Sequence, residues 1–268
     1  MPLEIPSNPA DLLNRRENIK SELNTFRNNV SENFTPAEAE KINAALDFML
    51  KIHLPREDRV DSRPFASHPL AVAEEVIKLS NDPELVIAAL IHDGVEEQCD
   101  YIFAERVNRK YPDRKFSYLE MTEALKEKYK SIFKAWSFKE IKEKFGDKVE
   151  YYTQNMTNHD FNSLAEDLKL KGVEKQDFIN KLYFDHVESI INDSNLFTLK
   201  LADLSVNIDL HSLSPESDKY QKLKRKYKSV IETILEKLKN LEPGHPIYFK
   251  RDELINKLNK IYNEQYNK

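Results

Sequence analysis

Seven consecutive apolar residues, Leu85 to Ile91, are followed by a stretch in which four of six side chains can ionise: His92, Asp93, Glu96 and Glu97. A segment that is apolar on every side belongs inside a protein, as a helix buried all round. Charges at its end cannot follow it inward without partners. A divalent cation is the obvious partner. The rest of the chain must then supply further ligands and a fold that brings them to this point.

The fold class follows from pattern. Only 4 of the 268 residues are glycine, and 40% are hydrophobic. Most segments repeat their apolar residues with a helical period, so the chain is read as all-α with ample material for a core. The one cysteine, Cys99, excludes an internal disulfide and suits a reducing compartment. The first residues, Met1 to Pro6, show neither a basic nor an apolar leader region. No apolar run approaches the roughly 20 residues that span a bilayer. A cytoplasmic protein without a membrane partner is expected, and the net charge of -5 argues against general nucleic-acid binding.

Cap and turn residues divide the chain. A polar amphipathic helix is predicted over 9–30. Thr35-Pro36 starts a second helix, which Pro55 ends. A charged loop runs from Arg56 to Arg63. His68-Pro69 opens a third helix, and Asp82-Pro83 caps a fourth that carries the opening stretch. Helices are also predicted over Tyr101–Tyr111 and Tyr118–Trp136. Ser137 to Glu140 reads as a capping box, and Gly146 as a left-handed stop. Asp147 caps the next helix, 158–172 reads as a loop with room for a helical turn, and 174–192 is helical. Asn195–Leu210 is a second buried-looking helix with a polar line of Lys200, Asp203 and Asn207. Two further helices follow, 215–241 and 249–266.

On a helix, His92 and Glu96 stand four apart, as do Asp93 and Glu97, so all four crowd one end of one face. Imidazole with carboxylate suits Mn, Fe or Zn. His68, at a loop-to-helix junction, and Asp203, the acid in the middle of the second buried helix, are the further candidate ligands. Plainer readings stand beside these. A lone histidine is usually a satisfied core or surface residue, and Asp203 with Lys200 also reads as a structural ion pair.

The ordered set resembles the HD-domain metal phosphohydrolases, which use a His, an adjacent His-Asp and a distant Asp. The residues that carry the likeness are Arg63 to Ala73, Ala88 to Glu97, Phe145 to Val149, Met156-Thr157, and Lys200 to Asp203 with Asn207. In this order they look like the hydrolase domain of RelA/SpoT-type alarmone enzymes and of small stand-alone alarmone hydrolases, over roughly residues 40–212. The resemblance implies an HD-type helical bundle and one Mn²⁺, with Fe²⁺ or Zn²⁺ as alternatives, held by His68, His92, Asp93 and Asp203. It implies hydrolysis of the 3′-pyrophosphate of ppGpp or pppGpp to GDP or GTP and pyrophosphate. Glu96 and Glu97 would handle the attacking water. Arg59, Asn207 and Lys200 would face the nucleotide. The expected organisation is an N-terminal extension (1–35), the hydrolase domain (36–212, with an insertion at 98–137) and C-terminal helices (213–268) packed on the same domain.

The chain also departs from the family's pattern. The loop around Arg59 mixes Glu57, Asp58 and Asp61 among its basic residues, Leu204 stands where a basic residue is usual, and Asn158 replaces a lysine. The substrate set therefore stays open to an adenosine alarmone or the 2′-phosphate of NADPH, and the protein to a nucleotide-binding regulator with feeble turnover. The insertion reads as a lid, a specificity element, a homo-oligomer contact or a surface decoration. The basic run from Lys219 to Lys228 is expected to be the solvated face of a long helix, His53 to have either a local structural or substrate-edge role or a ligand role, and Phe133, Trp136 and Phe138 to be core.

Overall fold

The computed structural model describes residues 9–55, 63–111 and 123–267. Among the described residues the protein is all-α, without a strand, and no helix is long and apolar enough to cross a membrane. The chain forms two compact units, one of residues 1–77 with 81–157 and the other of 78–80 with 158–268.

In the first unit, α1 (Pro9–Asn18) and α2 (Lys20–Asn33) are separate helices, because Ile19 leaves helical geometry. One continuous helix was the expectation from the apolar stripe, which does not register a single residue's backbone. Buried Leu23, Phe26 and Val30 set α2 on α3 (Pro36–His53). Thr35 caps α3 in a full capping box with Glu38, an arrangement generally worth about 1 kcal/mol. α4 covers Ser67–Leu79, and α5 covers Pro83–Ile91 with every residue from Leu85 onward buried. Asp82 caps α5 by accepting from the amides of Glu84 and Leu85. α5 packs on α3 and on α8 (Asp147–Met156).

The opening stretch is not one helix. α5 stops at Ile91, and α6 (Gly94–Lys110) begins two residues after His92. Gly94 stands at this restart, where a Cβ would lie 2.8 Å from Ile52 Cδ1 and that side-chain tip would have to shift. α7 (Glu123–Phe145) packs along α6. It runs through Ser137, so the expected capping box is absent. The Ser137 hydroxyl lies within hydrogen-bond distance of the carbonyl oxygens of Phe133 and Cys99, which ties α7 to α6. Glu140, the other half of the expected box, pairs instead with Arg106, Arg109 and Lys144. Burial pushes the Cys99 thiol up to about 11. Phe133 is buried, but Trp136 lies on the surface between Arg106 and Lys139. Gly146, with φ of 95°, makes the left-handed stop and precedes α8.

In the second unit, α9 (Phe161–Asp167) is a seven-residue helix in the stretch expected to be a loop with a helical turn, and Asp160 caps it. α10 (Gly172–Ile190) packs on α12 (Asp218–Lys239), and α12 on α13 (Arg251–Ile261) and a terminal π-turn, Tyr262–Tyr266. α12 buries Tyr220, Tyr227, Val230 and Ile231 and leaves Lys219, Lys222, Arg225 and Lys228 in solvent. α11 (Ser194–Asn207) is capped by Asp193 and buries ten consecutive residues, Leu196 to Ser205.

Candidate metal centre

His92 and Asp93 occupy the bend between α5 and α6. Asp93 is the residue before the first turn of α6, yet its side chain makes no capping hydrogen bond. Its carboxylate turns instead toward two imidazoles. One oxygen lies 3.2 Å from His92 Nε2 and the other 3.4 Å from His68 Nε2. His68 sits in the first turn of α4, and the two rings are 5.4 Å apart. Both histidines are buried.

The tautomer of His92 follows from its other nitrogen. Nδ1 lies 2.8 Å from the carbonyl oxygen of Ala89. A carbonyl can only accept, so Nδ1 carries a hydrogen. In the neutral ring the Nε2 lone pair then faces a carboxylate oxygen. Lone pair against lone pair is repulsive, and a positive charge between them removes the conflict. A proton can do this, and so can a divalent cation. Backbone-anchored imidazole with carboxylate nearby is the usual arrangement of a metal-binding histidine. The donors present therefore fit a metal ion.

Glu96 and Glu97 lie in the first turn of α6, where the helix dipole favours negative charge. Glu96 is half-buried and Glu97 exposed. Arg59 lies outside the described residues. His53 is buried beside the ring of Phe65 at 5.2 Å.

In the second unit the three polar residues of α11 form one group. Lys200 Nζ is 2.9 Å from Asp203 Oδ2, and the Asn207 amide donates to Asp203 Oδ1 at 2.6 Å. Lys200 and Asp203 are both buried. Burial opposes the Lys200 charge, but Tyr183 and Asp203 outweigh it and hold its pKa above the ordinary lysine value. Leu204, the next residue along, is fully buried and offers no cation.

Two features were not foreseen from sequence. Arg106 is buried with Glu140 and Glu143 around its guanidinium. The spacing of 34 and 37 residues gives no local signal for this pairing. Tyr183 on α10 lies against Lys200, and a tyrosine in an amphipathic helix gives no hint of the cation it will meet.

Comparison with known proteins gives a partial match. Over 97 residues the chain is 35% identical to the guanosine-3′,5′-bis(diphosphate) 3′-pyrophosphohydrolase of Aquifex aeolicus (strain VF5), covering 36% of this chain and 14% of that protein. Over 72 residues it is 33% identical to the probable enzyme of the same name from Mycoplasma genitalium (strain ATCC 33530 / DSM 19775 / NCTC 10195 / G37), covering 27% of this chain and 10% of that one. The chain thus spans a small part of the relatives it matches. No family model matches it. The likeness read from the ordered motifs and the likeness to these named hydrolases point the same way.

Proposed function

We propose that the protein is an HD-type metal-dependent phosphohydrolase that removes the 3′-pyrophosphate of ppGpp or pppGpp, giving GDP or GTP and pyrophosphate. The observation that carries this reading is the convergence of His68 Nε2 and His92 Nε2 on the Asp93 carboxylate. Imidazoles with carboxylates are a donor set of the type that holds one divalent ion. The names of the Aquifex and Mycoplasma relatives support the substrate class. We assign His68, His92, Asp93 and Asp203 to one Mn²⁺, Glu96 and Glu97 to the water, and Arg59 and Asn207 to the nucleotide. A cytoplasmic setting goes with such a substrate and with the free thiol of Cys99.

When bound, the ion supplies Lewis-acid charge for the phosphoryl oxygens and makes water easier to deprotonate. Glu96 or Glu97 takes the proton of the attacking water. The water oxygen forms a bond to the phosphorus next to the ribose, the bond from that phosphorus to the 3′ oxygen breaks, and a proton returns to that oxygen. Asn207 and Arg59 hold the nucleotide while this happens.

The test is incubation of the purified chain with ppGpp and MnCl₂, with the products separated. Release of pyrophosphate and GDP is expected, and its absence from metal-loaded protein overturns the substrate assignment. A second reading keeps the chemistry and changes the nucleotide to an adenosine alarmone or NADPH. It is favoured by Leu204, whose burial removes a cation that the family usually has there. A panel of phosphorylated nucleotides separates the two.

A further inference from the structure

We infer that Lys200 and Tyr183 are positioning residues, and that Lys200 acts through the Asp203 carboxylate rather than on the nucleotide. This rests on the proposed function, in which Asp203 is a metal ligand. Both oxygens of Asp203 are held from its own helix, Oδ2 by Lys200 one turn before and Oδ1 by Asn207 one turn after. The carboxylate therefore cannot turn about its own axis without losing a charge-assisted hydrogen bond.

Stability alone does not account for the pair. Lys200 and Asp203 stand three apart on one helix, so the bond between them does not itself join two helices. α11 is otherwise apolar on nearly every side. In such a setting a buried ion pair is commonly no better than well-packed apolar residues. What the pair does supply is a fixed carboxylate.

Lys200 is itself held from neighbouring helices. Its Nζ is 5.0 Å from the centre of the Tyr183 ring on α10. Lys226 of α12 lies 4.0 Å from the same ring. The ring attracts both ammonium groups, while their mutual repulsion disfavours a swing of Lys200 toward the Lys226 side. Lys200 is thus fixed between Tyr183 and Asp203. Lys200 is also only 3% exposed, which suits a residue that orients a ligand and not one that receives a substrate from solvent.

The experiment uses the full chain. Mn²⁺ affinity is measured by titration calorimetry for the wild type, Lys200→Met, Lys200→Gln and Tyr183→Leu, and kcat and KM for ppGpp are measured at saturating Mn²⁺. Loss of an outer partner of a metal ligand should weaken Mn²⁺ binding by roughly 10- to 100-fold in Lys200→Met. The nucleotide KM should stay within about twofold, because no direct substrate contact is lost. Lys200→Gln, which keeps a donor for Oδ2, should recover part of the affinity, and Tyr183→Leu should show a smaller loss in the same direction. If Lys200→Met fails to fold, Tyr183→Leu decides by the same two readouts. Unchanged Mn²⁺ affinity with a raised KM overturns the inference and leaves the proposed function standing. A wild-type chain that takes up no Mn²⁺ overturns both.

Discussion

His92 donates its Nδ1 hydrogen to the carbonyl oxygen of Ala89, one turn back on α5, across 2.8 Å. That bond is available because α5 ends at Ile91, leaving the Ala89 carbonyl without its usual helical donor. The end of a buried helix thus orients an imidazole, and Nε2 is left to face Asp93.

Removing that imidazole should remove the metal. His92→Ala is expected to bind no Mn²⁺ at stoichiometric levels, and Asp203→Ala likewise, measured by metal analysis after desalting. Full occupancy in Asp203→Ala would show that Asp203 is not a ligand.

Glu96→Gln should separate metal binding from turnover. Its carboxylate is proposed to take a proton and not to hold the ion. Mn²⁺ content should stay at the wild-type level while kcat for ppGpp falls by ~100- to 10,000-fold, the usual contribution of a general base. Retained activity would move the role to Glu97.

Arg106→Met tests the junction between α6 and α7. The side chains of Arg106 and Glu140 are 1% and 2% exposed. Truncating the cation leaves the buried Glu140 carboxylate to Arg109 and Lys144 alone. A loss of about 3 kcal/mol is expected from breaking a buried pair, read by urea denaturation.

The same cluster gives a pH dependence. Hydrogen bonding to Arg106 holds the Glu143 carboxyl at about 2, below its ordinary 4.5. A carboxyl lowered in the folded state stabilises above the unfolded value, and that stabilisation is lost as pH falls. The contribution should therefore be complete above pH 4.5 and disappear toward pH 2. Thermal melts across this range should show it in the wild type, and Glu143→Gln should flatten that part of the profile.

Gly146→Ala should cost roughly 1 kcal/mol, because a Cβ is disfavoured at left-handed φ. No neighbouring atom lies within 4 Å of the added Cβ, so the strain is in the backbone alone. Chemical denaturation measures it.

Much of the local structure was legible in the residues. Thr35 before Pro36 and Asp82 before Pro83 are helix starts whose capping atoms are local in sequence. Gly146 announced its turn because only glycine adopts that φ easily. The all-apolar run of α5 and the polar line of α11 each marked their own ionisable residues, since buried charge stands out against an apolar background. Ser137 misled because the same residue types cap a helix or bond back to its carbonyls, and only the approach of Cys99 decided between them.

By itself, then, the sequence determined the helical class, most helix starts, and His68, His92, Lys200 and Asp203 as ionisable residues set in apolar surroundings. These depend on backbone preferences and hydrophobic period, which act over a few residues. Tertiary structure decided what each charge meets. It broke the helix at His92 and Asp93, set His68 against Asp93 from a helix some 25 residues earlier in the chain, and gave Lys200 to Asp203 and Tyr183. It also drew Arg106 to Glu140, 34 residues further along the chain. Such pairings are set by where packed helices place their side chains, and no local preference in the chain records that.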